Sequence, residues 1–158
     1  MKKIILATFL TIFVLSNVVW AKDITTVEKK TVEKNVLIAV DSSNFKNTVI
    51  SKIIKNLEKE AVVKTVPLTK LLKEDPSNYQ AIVLTNTCWA GNVNGTVKVF
   101  LKKLSDQDKK KVIVFTSAGG EDWSPSGLGC DCVTSASTMS KTDSIAETIS
   151  LKVRKILK

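Results

Sequence analysis

Three short segments of this chain are apolar at every position: Val36-Leu37-Ile38-Ala39-Val40, Ala81-Ile82-Val83-Leu84 and Val112-Ile113-Val114-Phe115. A fourth, Val62-Val63-Lys64-Thr65-Val66, is interrupted by two polar residues and closed by Pro67. Runs of this length with no inside–outside alternation predict strands covered on both faces. Between them the period changes. Val49, Ile50, Ile53, Ile54 and Leu57 recur at spacings of three and four, as do Val97, Val99, Phe100, Leu101 and Leu104, and later Ile145, Ile149, Val153 and Ile156. Each set predicts one apolar helix face. Ser42-Ser43-Asn44 supplies capping residues before the first helix. Leu68, Leu71 and Leu72 predict a short helix stopped by Asp75-Pro76. Residues 120–132 carry Pro125 and glycines but no period, so the connection after the fourth strand is a loop. Cys132-Val133-Thr134-Ser135-Ala136 follows as a weaker fifth strand at an edge. Polar residues 135–140, Ser137, Thr138 and Ser140 among them, read as turn and capping residues ahead of the last helix. Strands alternating with helices predict an α/β domain with a parallel sheet, right-handed crossovers and helices on both faces.

The first 35 residues are of another kind. Lys2 and Lys3 precede an apolar run over 4–20, and Val19-Trp20-Ala21 ends it on a small residue. This is the three-part pattern of a cleavable secretory signal over 1–21, and it predicts an exported protein, periplasmic or secreted, with no stable membrane span once the signal is removed. The absence of cysteine near Ala21 argues against a lipid anchor. Residues 22–35 contain the repeat Thr26-Val27-Glu28-Lys29 and Thr31-Val32-Glu33-Lys34, whose spacing of five fits neither helix nor strand. A charged leader is predicted there, and one domain over 36–158.

The net charge is +9, or +7 without Lys2 and Lys3, and Arg154 is the only arginine. Nucleic-acid readers usually cluster arginine for bidentate contacts. Scattered lysines in an exported chain predict no nucleic-acid partner and read first as a solvated surface, with weak attraction to an anionic envelope surface or an acidic partner as the electrostatic alternative. The chain has no histidine. That excludes Ser-His-Asp and Cys-His catalytic units and histidine metal sites. With no other nucleophile–base pair visible, hydrolysis is disfavoured.

Cys88, Cys130 and Cys132 are the only cysteines. Cys88 follows the third strand and Cys132 begins the fifth, so they are expected at opposite ends of a parallel sheet and unbonded. Cys130, on the long loop, is then the one candidate partner for Cys88, and inert buried thiols are the default. A Cys130–Cys132 bond would close a small strained ring, improbable as a structural link but conceivable as a redox one. Metal capture by Cys130-Asp131-Cys132 lacks further ligands. Asp41, Glu121 and Asp122 flank the strand ends, as capping and loop residues or as hydrogen-bond partners of a ligand.

Three segments carry a family resemblance. Strand 36–40 with Asp41-Ser42-Ser43-Asn44-Phe45-Lys46-Asn47-Thr48 resembles the opening strand, phosphate loop and first helix of flavodoxins. Strand 81–84 with Thr85-Asn86-Thr87-Cys88-Trp89-Ala90-Gly91-Asn92-Val93-Asn94-Gly95 resembles their third-strand loop, and 111–115 with Thr116-Ser117-Ala118-Gly119-Gly120 their fourth. The resemblance covers 36–158 and implies a three-layer flavodoxin-like sandwich with a five-stranded parallel sheet of order 2-1-3-4-5. Ligands of such sheets sit beyond the carboxyl ends of the strands where the order reverses, so loops 41–48, 85–95 and 116–124 are expected to meet at one rim. The resemblance further implies FMN as cofactor. Its phosphate would lie on Ser42, Ser43, Asn44, Lys46 and Thr48 at a helix start, and its ring between Trp89 and Trp123, with Thr87, Gly91, Ser117, Gly119 and Gly120 around it. Phe45 stands where the family has a central glycine, which implies a degenerate phosphate loop, and the basic charge departs from the acidic family norm. Two readings follow. One is an exported flavodoxin-like electron carrier that binds FMN and meets an acidic redox partner. The other is a cofactor-free module that uses the same loops to bind an envelope protein or a small anionic ligand.

Overall fold

The structure, a computed structural model, describes residues 33–120 and 122–158. The expected signal over 1–21 and leader residues 22–32 lie outside the described residues. Five strands form one sheet: β1 Asn35–Val40, β2 Val62–Pro67, β3 Ala81–Thr87, β4 Val112–Ala118 and β5 Asp131–Ala136. All neighbours are parallel and the order is β2-β1-β3-β4-β5, as expected. The helices are α1 Asn44–Leu57, α2 Gly95–Lys102, α3 Asp106–Lys109 and α4 Thr142–Ile156, with 3-10 turns at Leu68–Lys73, Pro76–Asn78 and Met139–Lys141. Among the described residues no helix is long and apolar enough to cross a membrane.

The continuous apolar runs are explained by the layers. Successive strand residues point to opposite faces. Val36 and Ile38 of β1, Ala81 and Val83 of β3, and Ile113 and Phe115 of β4 meet α1 and α4 on one face. Leu37 and Ala39, Ile82 and Leu84, and Val112 and Val114 meet α2 and the Leu68–Lys73 turn on the other. Both faces are covered, so every position in these three runs is apolar. Among the described residues the connection from β4 to β5 carries no helix. Loop residues Trp123, Leu128 and Cys130, followed by Cys132, pack against the second layer and cover the sheet there.

Several expectations are corrected. β3 and β4 each run three residues past their apolar segments, through Thr85-Asn86-Thr87 and Thr116-Ser117-Ala118. Hydropathy stops at the first polar residue, but the ladder continues because these side chains find partners: Asn86 Nδ2 donates to Thr116 Oγ1 at 2.8 Å. The rim loops are correspondingly shorter, 41–43, 88–94 and 119–130. Val99 is 44% exposed. It lies two residues from Val97, a rotation of roughly 200° on a helix, and so cannot share its face. α3, capped by Ser105 accepting from Asp108 N–H at 3.0 Å, had no apolar period to announce it.

Candidate functional site at the carboxyl rim of the sheet

β1 ends at Val40 and α1 begins at Asn44, leaving three residues between them. Ser43 caps the helix, its Oγ accepting from Lys46 N–H at 3.3 Å. Lys46, one turn in, points back under the rim and is 1% exposed. Its Nζ donates to Asp41 Oδ2 and to Thr87 Oγ1, both at 2.6 Å. Thr87 Oγ1 donates in turn to Asp41 Oδ2 at 2.8 Å. Asp41 N–H donates to Thr85 Oγ1 at 2.9 Å. The result is a closed Lys46–Asp41–Thr87 triangle at the point where strand order reverses. Burial acts to raise the Asp41 pKa, but hydrogen bonds from Lys46 and Thr87 and the ammonium charge outweigh it and hold the carboxyl below its ordinary range.

The loop after β3 is built around a tight turn. Trp89 N–H donates to Asn92 C=O at 3.1 Å and Asn92 N–H to Trp89 C=O at 2.9 Å. The two central residues, Ala90 and Gly91, have φ of 47° and 72°. Positive φ at both is the signature of a type I′ turn, easy for Gly91 and uncommon for an alanine. Asn92 Nδ2 supports it by donating to Ala90 C=O at 3.0 Å. This turn holds Trp89 out into solvent at 83% exposure. Beside it, Asn94 caps α2, its Oδ1 accepting from Thr96 N–H at 2.8 Å, while its own N–H donates to Asn86 Oδ1. Asp41, Thr87, Trp89, Asn92, Asn94 and Gly95 line an open hollow of about 500 Å³.

The expected site residues divide into two groups. Asp41, Thr87, Trp89 and Gly91 are drawn together at the reversal point, with Lys46 beneath them. Ser42 binds Asn47, with Nδ2 to Oγ at 3.0 Å. Thr48 Oγ1 donates to Asn44 C=O at 2.9 Å, back into its own helix. Ser117 is buried in β4, its carbonyl accepting from Cys88 N–H at 2.8 Å. Gly119 and Gly120 are exposed, with open space where a Cβ would stand. Trp123 is half-buried on the second core layer. Among the described residues the ring–ring contact is Phe45 with Phe115, and neither rim tryptophan takes part in one. Cys88, Cys130 and Cys132 are all free thiols, and Cys130 lies beside Cys132 rather than Cys88.

No protein-family model matches this chain, and no curated protein matches it in sequence. Solved structures do resemble it. A flavodoxin from the domain Archaea superposes with TM-score 0.55 at 14% identity, over 79% of this chain and 99% of that one. The solution structure of two-electron reduced Megasphaera elsdenii flavodoxin gives 0.52 at 13%, over 76% and 98%. The chain has a flavodoxin-like fold. A flavo di-iron protein variant from Thermotoga maritima gives 0.56 at 20% identity, over 79% of this chain but 36% of that larger one. The likeness is of the flavodoxin-like fold alone, so the fit of a flavin must be judged on these residues.

The two ends of the rim differ. At the α1 end of this flavodoxin-like sheet, the Lys46 ammonium is turned inward to Asp41 and Thr87, the Ser42 hydroxyl pairs with Asn47, the Thr48 hydroxyl donates into its own helix, and Ser43 Oγ accepts from Lys46 N–H. Asp41 adds a negative charge there. These residues do not fit a phosphate cradle. Phe45 is not the reason, since its ring is in the core at 5% exposure, 6.2 Å from the Phe115 ring. At the β3 end, an exposed indole over a hollow edged by amide side chains does fit one face of a planar heteroaromatic ring.

Proposed function

We propose that this protein is a flavodoxin-like binding protein whose rim hollow takes the planar ring of a flavin-type ligand against Trp89, without a dedicated phosphate site. The observation that carries this reading is Trp89 itself. It is a large amphipathic side chain, 83% exposed, held over the strand-order reversal by a turn with positive φ at Ala90. A ring stacked there would gain the contact area that the indole leaves to water. Asn94 Nδ2 would offer a hydrogen bond at its edge, its Oδ1 being held by Thr96 N–H, and Lys46 would keep Asp41 neutralised below it. A flavin held there brings its own redox chemistry, and the chain supplies position and surroundings. Electron transfer to an acidic partner accords with the net charge, and action outside the cytoplasm accords with the pattern of residues 1–21.

Titration with riboflavin and with FMN, followed by tryptophan fluorescence, tests the proposal. The two ligands are expected to bind within about threefold of each other, a difference below 1 kcal/mol. Trp89→Ala is expected to weaken both about tenfold, the worth of one stacking contact of roughly 1.4 kcal/mol. FMN binding more than about a hundredfold tighter than riboflavin would restore a phosphate site and remove that part of the reading. Binding of neither flavin would favour the cofactor-free module, to which the committed phosphate-loop donors also point.

A further inference from the structure

At the opposite end of the sheet, Cys130 and Cys132 stand on either side of the start of β5. Gly129 has φ of 70° with the Lys109 side chain 3.2 Å from where a Cβ would be, and it bends the chain immediately before them. Residues two apart on a straight strand have Cα atoms roughly 6.6 Å apart, at the upper limit for a disulfide of about 6.8 Å. Cys130 and Cys132 lie on the same face, packed on the second core layer and half-buried. The Cys132 thiol donates to Cys130 C=O at 3.6 Å.

We propose that Cys130 and Cys132 are a redox-active dithiol that exchanges with disulfides carried by anionic peptides, independently of any ligand at the rim. The surroundings supply the substrate class. Asp131, between the cysteines, is tied to Lys152 at 2.7 Å. It lines a hollow of about 570 Å³ with Lys110, Lys111, Lys152 and Lys155. Leu128 lines a second hollow of about 270 Å³ with Lys98, Lys102 and Lys109. Lys102, Lys110 and Lys155 have no ion-pair partner among the described residues, so the dithiol lies in a positive field that concentrates anionic substrates.

The two thiols have different roles. The hydrogen bond from Cys130 lowers the Cys132 pKa, and Lys152 adds to it, against burial and Asp131. The same hydrogen bond, then burial, push Cys130 upward. The Cys132 thiolate therefore attacks first. It bonds one sulfur of the incoming disulfide, whose S–S bond breaks and releases one thiolate. Cys130 then gives up its proton and attacks Cys132 Sγ, breaking the mixed disulfide and releasing the second thiolate. The cysteine pair loses two electrons and two protons to the substrate, which leaves as two thiols. The small ring formed is strained and so readily reduced.

The full-length Cys88→Ser protein, incubated with oxidised glutathione, is expected to lose both remaining thiols and two hydrogens in mass, with the bond mapped to 130–132 and reversed by dithiothreitol. Cys130→Ser should trap glutathione on Cys132. At low salt, oxidised glutathione should react about tenfold faster than the cationic disulfide cystamine, with the gap narrowing as salt rises. Persistent glutathione adducts in the protein that keeps both cysteines, or disulfide-linked dimers in place of the internal bond, would overturn the dithiol. Failure of Cys130→Ser to trap glutathione would overturn the role of Cys132, and faster reaction with cystamine would overturn the anionic substrate.

Discussion

Phe45→Gly is expected to destabilise the domain by about 4–6 kcal/mol, a large share of the roughly 5–15 kcal/mol that holds a domain folded. The aromatic side chain lies between α1 and the sheet, 5% exposed and against Phe115. Removing it leaves a cavity, for about 3–5 kcal/mol, and a glycine inside a helix adds about 1 kcal/mol. Urea denaturation reads the loss, and Phe45→Leu, which keeps most of the volume, should lose less than half as much. The sequence resemblance implies the reverse result, because a glycine restored to a phosphate loop would tighten phosphate binding. A Phe45→Gly protein with unchanged stability and new affinity for phosphate would refute the core position of this ring.

Asp41→Ala is expected to cost about 3 kcal/mol, towards the lower end of the range for breaking a buried ion pair because Asp41 itself is about one-third exposed. The loss comes from Lys46. Its ammonium is fully buried and would keep only Thr87 as a partner. The double variant Asp41→Ala/Lys46→Met should recover more than half of it, since methionine keeps the apolar stem and removes the stranded charge. The sign with pH follows from the lowered carboxyl. A group more acidic folded than unfolded stabilises the fold above its ordinary pKa, 3.8 here, and that contribution is lost as pH falls through the folded value. The stability gap between the wild-type protein and Asp41→Ala is therefore expected to be full at neutral pH and to close below about pH 4. A gap that widened under acid would rule out this coupling.

What the sequence by itself determined was the architecture. Val36–Val40, 81–84 and 112–115 are apolar on both alternating sets of positions, which only a sheet with two covered faces accepts, and the intervening helical periods supply the covers. The rim could also be located, because Trp89 follows a strand end and the topology places strand ends together. The local roles at that rim required the tertiary structure. Thr85-Asn86-Thr87 reads as loop until Asp41, just past β1, and Thr116 of β4 pair with its hydroxyls and amide. Phe45 and Lys46 are adjacent in sequence, but the helix turns one ring into the core and one ammonium under the rim, to a carboxylate five residues back and a threonine 41 residues on. Cys130 sits beside Cys132 rather than Cys88 because it directly precedes β5, whose start lies at the other end of the parallel sheet from the end of β3 that Cys88 follows. Hydrophobic period is a property of each segment and survives translation into structure. The partner of a polar side chain is decided by which distant segment the fold brings within 3 Å or so, a hydrogen bond's reach.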